Sequence, residues 1–192
     1  MINNLGNVLP LEETEAYNKI INWFFSYPQK EIGLSELSKE LNISKMTANR
    51  YVNRLVDEKY LRKEVLGRIW RISCNLEHVY NFTHKISYNL NMVYKSGILL
   101  EIHKIIPNSR AIVLFGSYRK GDDTEKSDID IAVEVLDDED LRIVELGVLP
   151  QLGYRKNVLV NLHVFSRNKV DLNLFSNIAN GIVLEGFLEV HL

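Results

Sequence analysis

Cysteine is nearly absent from this 192-residue chain, which contains only Cys74. A single thiol excludes an intramolecular disulfide framework and a zinc site built from several cysteines. Prolines are also few, four in all, and no proline- or glycine-rich linker divides the chain. These absences indicate a protein that is stabilised by an apolar core, and they are typical of a reducing compartment such as the cytoplasm.

Long hydrophobic runs are missing as well. The longest, such as 97–100 and 111–115, fall far short of the roughly 20 apolar residues that a membrane helix needs. The first ten residues lack the basic leader and apolar stretch of a signal peptide. We therefore expect a cytoplasmic protein without a membrane partner. Its composition, 46% hydrophobic and 25% charged, leaves room for two small domains.

The net charge of −2 conceals an uneven distribution. Residues 42–72 contain eight lysines and arginines against three acidic residues, whereas residues 75–192 contain twelve against sixteen. A basic patch within a nearly neutral protein predicts contact with a polyanion. A solvated helix face explains the same pattern equally well, so charge alone leaves both interpretations open.

The order of helical and strand patterns predicts an α+β fold in three parts: residues 11–74, a connecting helix at 75–107, and a domain at 108–192. In the middle part, apolar positions recur every three or four residues and predict one long amphipathic helix. These positions are Leu76, Val79, Thr83, Ile86, Leu90, Val93, Gly97 and Leu100. Such a stripe packs either on the flanking domains or on a second copy in a homodimer.

Residues 34–55 predict two short helices around a tight turn, and a hairpin that turns at Leu66-Gly67 follows them. This segment resembles the winged helix–turn–helix of bacterial and archaeal transcription regulators. The resemblance implies DNA binding, because polar and cationic side chains of the third helix can reach base edges and phosphates. The candidates are Ser44, Lys45, Thr47, Asn49, Arg50 and Asn53, together with Arg68 on the hairpin. The alternative is a winged helix that serves only protein contacts or dimerisation.

The strongest chemical signal is an apolar strand that ends at Gly116-Ser117, followed after ten residues by Asp128-Ile129-Asp130. The two aspartates lie two positions apart on a predicted strand, so both should point to the same face. Neighbouring carboxylates repel each other unless a cation lies between them, which makes them natural Mg²⁺ ligands. Gly116 permits close approach of a phosphate, and Ser117 offers a hydroxyl and a backbone N–H.

This pattern resembles the signature of the DNA polymerase β nucleotidyltransferase superfamily, and the small size of the domain resembles its minimal group. The resemblance implies that Asp128 and Asp130 hold Mg²⁺ and are catalytic, and that Gly116 and Ser117 bind a nucleoside triphosphate such as ATP. Active members also use a third carboxylate on a later strand. The corresponding strand here, 158–165, contains Asn161 and His163 but no acidic residue. Either residue could complete the metal site, or Glu134 could substitute.

Two functions follow from these patterns. The favoured one is Mg²⁺-dependent transfer of a nucleotidyl group to a hydroxyl of a macromolecule. Within the minimal group, such domains often act as antitoxins of HEPN ribonuclease toxins, so the resemblance also implies a HEPN partner. The alternative is a DNA-binding regulator whose degenerate transferase domain only senses nucleotide or mediates dimerisation. Transfer to a small molecule is a weaker third option, because the domain is small.

Overall fold

The computed structural model describes residues 14–67, 69–136 and 140–190. Four parts of the predictions above lie outside these ranges: residues 1–13, the candidate DNA contact Arg68, residues 137–139 of the C-terminal domain, and the last two residues, 191–192.

The N-terminal part contains three helices and an antiparallel pair of strands, in the order that the sequence predicts. They are α1 (Glu15–Ser26), α2 (Leu34–Glu40), α3 (Lys45–Asp57), β1 (Leu61–Leu66) and β2 (Ile69–Cys74). The winged helix–turn–helix architecture is confirmed.

Local sequence explains where these helices begin and how the hairpin is attached. The side chains of Thr14 and Ser44 accept backbone N–H groups in the first turns of α1 and α3, which satisfies donors that a helix start leaves free. An antiparallel bridge between Ile32 and Ile72 ties the segment before α2 to β2. Both isoleucines are buried in one apolar core with Phe24 and the other large side chains of the three helices.

The prediction of one long connecting helix is wrong. This segment forms a short 3₁₀ turn at Val79–Phe82, then α4 (His84–Lys95) and α5 (Ile98–Ile105). The break falls at Gly97, whose φ of +83° lies in the left-handed region that ends a helix. The change of direction buries Ile98 and Ile102 and leaves Leu100 of the predicted stripe 69% exposed.

The C-terminal part is a mixed five-stranded sheet with short helices. Its elements are β3 (Ser109–Phe115), α6 (Gly116–Lys120), β4 (Ile129–Val135), β5 (Arg142–Leu152), β6 (Arg155–Phe165), α7 (Leu172–Ala179) and β7 (Ile182–Gly186). The strand order is β5-β6-β4-β3-β7, and β4 runs parallel to β6 while the other neighbouring pairs are antiparallel. The predicted α+β class with a small mixed sheet is confirmed.

The two faces of this sheet have different cores. Ile131 and Leu162 share an apolar cluster with Ile98 and Ile102 of α5. On the opposite face, Ala132 and Phe165 pack with Ile178 of α7 and the alternate residues of β3. Because side chains alternate along a strand, residues 130, 161 and 163 belong to this second face.

Hydrogen bonds join the winged helix to the C-terminal part. The Tyr27 hydroxyl, directly after α1, donates to the backbone oxygen of Tyr154 in the turn between β5 and β6, at 2.5 Å. The hydroxyls of Ser26 and Tyr88 lie 3.0 Å apart and share another hydrogen bond between α1 and α4.

The break at Gly97 gives a test by substitution. We expect Gly97→Ala to lower the free energy of unfolding by about 1–2 kcal/mol, because an alanine side chain disfavours the left-handed backbone. No atom would obstruct the added methyl group. Asn91→Ala is the control, since Asn91 is an exposed residue inside α4 where alanine suits the ordinary helical backbone. Urea denaturation measures the free energy of unfolding of both variants. Equal values would contradict the left-handed backbone at Gly97.

Candidate active site and nucleic-acid interface

The turn at Gly116 places the glycine–serine pair directly against Asp130. The last residue of β3, Phe115, is the register partner of Asp130 in β4. Gly116 has a φ of +70°, and a Cβ added there would lie only 2.8 Å from the Asp130 Oδ2 atom. Glycine therefore suits the left-handed backbone conformation, and any larger residue would also force the Asp130 carboxylate to move.

Asp128 and Asp130 lie at the start of β4, one directly before the strand and one as its second residue. Both side chains are partly exposed. Their separation by two residues directs them to the same side of the chain. The carboxylate pair is thus accessible to a ligand from the face that carries Gly116.

The neighbouring strand brings Asn161 and His163 to the carboxylate pair. In the parallel register, Asp130 is opposite Asn161 and Ala132 is opposite His163. The Asn161 Nδ2 atom lies 3.5 Å from Asp128 Oδ2, and the His163 Nε2 atom lies 3.4 Å from Asp130 Oδ1. These separations are at the long limit of hydrogen bonds, so the four side chains form one polar group without tight internal pairing.

His163 is held by packing. Its ring meets Phe115 edge-to-face with centroids 4.9 Å apart, and its side chain is 15% exposed. Its Nδ1 atom is buried and has no hydrogen-bond partner among the described residues. Histidines that bind metals usually have their second nitrogen oriented by a hydrogen bond. This arrangement therefore suits a contact with Asp130 better than direct metal ligation.

Glu134 does not reach the site, so the idea that it replaces the third carboxylate is wrong. It is 1% exposed and accepts hydrogen bonds from Arg167 Nε and Nη2 at 3.1 and 2.9 Å. Arg110 lies at 3.9 Å from its second oxygen. Four residues along β4 from Asp130, the buried Glu134 carboxylate is paired with these partly exposed arginines.

The donor set nevertheless fits a magnesium ion. Within the described ranges, no three His, Cys, Asp or Glu side chains are grouped as a metal site. Mg²⁺ does not require such a group, because one or two carboxylates with water and substrate phosphates suffice. Asp128 and Asp130 supply the two carboxylates, and the amide of Asn161 lies beside them.

The candidate DNA contacts cluster at the start and outer face of α3. Ser44, Lys45, Asn49 and Arg50 are exposed, and Thr47 and Asn53 are partly exposed. Several also have local roles: Ser44 caps α3 through the Thr47 N–H, and Lys63 of β1 donates to Asn53 Oδ1 at 2.6 Å. Lys45 and Arg50 are therefore the exposed cations on this face of the described helix.

Comparison with known families identifies the two domains that carry these candidate sites. Residues 31–62 match the family model of the winged helix-turn-helix DNA-binding domain, and residues 95–179 match that of the nucleotidyltransferase domain. The chain contains both domains. The prediction of a winged helix-turn-helix followed by a nucleotidyltransferase domain is confirmed, in the predicted order along the chain. No curated protein matches the chain, and no helix in the described parts is long and apolar enough to cross a membrane.

A buried ion pair joins α4 to the loop between α6 and β4, and the sequence patterns did not predict it. Lys85 of α4 is 1% exposed, and its Nζ atom lies 3.1 Å from Asp123 Oδ1. Asn89 donates to the same oxygen at 2.7 Å. Burial lowers the pKa of Lys85 and raises that of Asp123, and each partner opposes the shift in the other. One sequence signal for it existed: Lys85 and Asn89 lie four residues apart on α4, on the same helix face as the buried Val93.

Arg155 links this network to both ends of the nucleotidyltransferase motif. It donates to the Tyr118 hydroxyl and, at 2.5 Å, to the backbone oxygen of Ser127. Tyr118 follows Ser117, and Ser127 precedes Asp128. A buried side chain thus holds both segments that carry the candidate site residues.

Removal of the buried cation should be strongly destabilising. We expect Lys85→Met to lower the free energy of unfolding by about 3 kcal/mol, because it leaves Asp123 buried without its counter-charge. Lys95→Met removes an exposed lysine from the same helix and should change stability by about 0.5 kcal/mol or less. Chemical denaturation of both variants measures the difference. If the two variants unfolded at the same urea concentration, the ion pair would have no stabilising role.

Proposed function

We propose that the C-terminal domain is a Mg²⁺-dependent nucleotidyltransferase that transfers AMP from ATP to a hydroxyl of a macromolecule. One observation carries the proposal: Gly116 lies against Asp130, and a Cβ atom at this position would displace the Asp130 carboxylate. Asp128, partly exposed, lies two residues before it. This is the arrangement expected where a triphosphate approaches a carboxylate pair.

The residues have distinct roles in this proposal. Asp128 and Asp130 would hold the magnesium ion, and Gly116 and Ser117 would receive the phosphates of the nucleotide. When bound, the ion supplies charge neutralisation for the triphosphate and the developing pyrophosphate. Arg155 positions the two segments through Ser127 and Tyr118. Catalysis would come mainly from positioning and electrostatic stabilisation.

A second candidate function is supported by Asn161. This neutral residue lies opposite Asp130, at a position where the resemblance implies a third carboxylate. With less negative charge the site would hold a cation more weakly. The protein would then be a DNA-binding regulator whose C-terminal domain senses nucleotide or supports dimerisation without turnover.

The winged helix supports DNA binding in both candidate functions. Lys45 and Arg50 are exposed on the helix that would enter the major groove. We propose that the chain binds DNA upstream of its own coding sequence and represses its operon. The acceptor implied by the minimal nucleotidyltransferase group is a HEPN-type toxin encoded nearby, and its modification would be the antitoxin activity.

Loss of one aspartate should abolish transfer. We expect Asp128→Asn to reduce transfer of label from [α-³²P]ATP by at least about 100-fold, because the cation loses a charged ligand. The acceptor in the assay is the purified product of a neighbouring gene, or cell RNA if no such gene exists. Asp57→Asn, at the exposed end of α3, is the matched control and should retain activity. Absence of transfer by the wild-type chain, together with intact DNA binding, would favour the regulator.

Arg50 should contribute to DNA affinity. We expect Arg50→Ala to weaken binding to an upstream duplex about tenfold and to reduce the salt dependence by roughly one counterion, because one cationic contact is lost. Lys95→Ala removes an equal charge outside the winged helix and should bind as the wild type does. Fluorescence anisotropy at several salt concentrations measures both quantities. If the two variants bound the duplex with equal affinity, α3 would not contact the DNA through Arg50.

A further inference from the structure

Glu145 of β5 lies in the same transverse row of the sheet as the candidate site. Its register partner in β6 is Asn161, and the register partner of Asn161 in β4 is Asp130. Paired positions on neighbouring strands point to the same face of a sheet. Phe115, Asp130, Asn161 and Glu145 therefore form one row across four strands.

The packing of β5 independently fixes the direction of Glu145. Its neighbours Val144 and Leu146 pack against the core that contains Leu162, which belongs to the face opposite the site. The pairing of β5 with β6 is regular from Arg142 to Glu145, and a β-bulge follows between Glu145 and Gly147. Because side chains alternate along the regular part, Glu145 points to the face opposite Val144, which is the face of Asp130. The two observations, register and alternation, agree.

Glu145 is also available for a ligand. Its side chain is exposed, and within the described ranges no hydrogen bond or ion pair engages its carboxylate, unlike Glu134, which is paired with Arg167. Strands lie roughly 5 Å apart, so the Cα atom of Glu145 lies about 10 Å from that of Asp130. A flexible glutamate can cover part of this separation and face a group bound between the two carboxylates.

We infer that Glu145 supplies the third carboxylate of the site from β5, in place of the acidic residue that β6 lacks. This inference rests on the proposed function. In the transfer step, the acceptor oxygen forms a bond to the α-phosphorus and the bond from that phosphorus to the bridging oxygen breaks. Pyrophosphate leaves with the electron pair. The hydroxyl proton moves to the Glu145 carboxylate and then to solvent, and the negative charge of Glu145 strengthens cation binding.

The experiment compares Glu145→Gln with the wild type in the full-length chain. Two quantities are measured: the rate of label transfer from [α-³²P]ATP, and the affinity for Mn²⁺ with a non-hydrolysable ATP analogue, by electron paramagnetic resonance. We expect kcat to fall at least about 50-fold with little change in the KM for ATP, and Mn²⁺ affinity to fall about tenfold. Glu77→Gln, at an exposed glutamate outside the sheet, should change neither quantity.

A double variant identifies the chemical role. Asn161→Asp places a carboxylate on β6 opposite Asp130, so the Asn161→Asp/Glu145→Gln chain should recover transfer and Mn²⁺ affinity over Glu145→Gln alone. If Glu145→Gln transferred label and bound Mn²⁺ as well as the wild type does, the inference would be overturned. The proposed function would remain intact. If the wild-type chain transfers no label, the proposed function fails. The Mn²⁺ measurement then decides alone: tenfold weaker binding in Glu145→Gln supports a role for Glu145, and equal binding overturns it.

Discussion

The parallel pairing of β4 with β6 is the constraint on which the site depends. It sets Asp130 beside Asn161 and Ala132 beside His163, and the antiparallel pairing with β3 sets Phe115 and the Gly116 turn on the other side. A shift of one residue would turn Asp130 toward the core that α5 covers. The buried Ile129, Ile131 and Leu162 oppose such a shift, since they would lose their apolar surroundings. Core packing thereby fixes the position of the polar group.

Two carboxylates of the C-terminal part are buried and form ion pairs in separate places. Lys85 of α4 and Asp123 in the loop before β4 neutralise each other, and the buried Glu134 of β4 is paired with the partly exposed Arg167. Buried charges without partners are costly, so each pair is a structural requirement of its region. Asp128 and Asp130 differ because they are partly exposed and their described neighbours are an amide and an imidazole. This contrast separates carboxylates that stabilise the fold from carboxylates that remain free for a ligand.

Local patterns predicted most of the fold and the centre of the site. The two short helices within residues 34–55, the hairpin around Gly67 and the spacing from Gly116 to Asp130 are contained in short stretches of sequence. The errors arose where residues that are distant in the sequence determine the surroundings of a side chain. Glu134 looked available until its partner, 33 residues later, was known, and Asp123 is buried against a lysine 38 residues earlier. The row that includes Glu145 depends on strand register, which no local pattern reveals.

The link between the two domains has an uneven tolerance to sequence change. Tyr27 donates to a main-chain carbonyl at position 154, not to a side chain. Every residue type carries that carbonyl, so homologous chains could vary at position 154 and still accept this bond. The donor has no such freedom, because loss of a single phenolic oxygen at position 27 removes the bond. Evolutionary drift in this family should therefore leave a tyrosine on the winged-helix side of the junction while the strand turn opposite it diversifies.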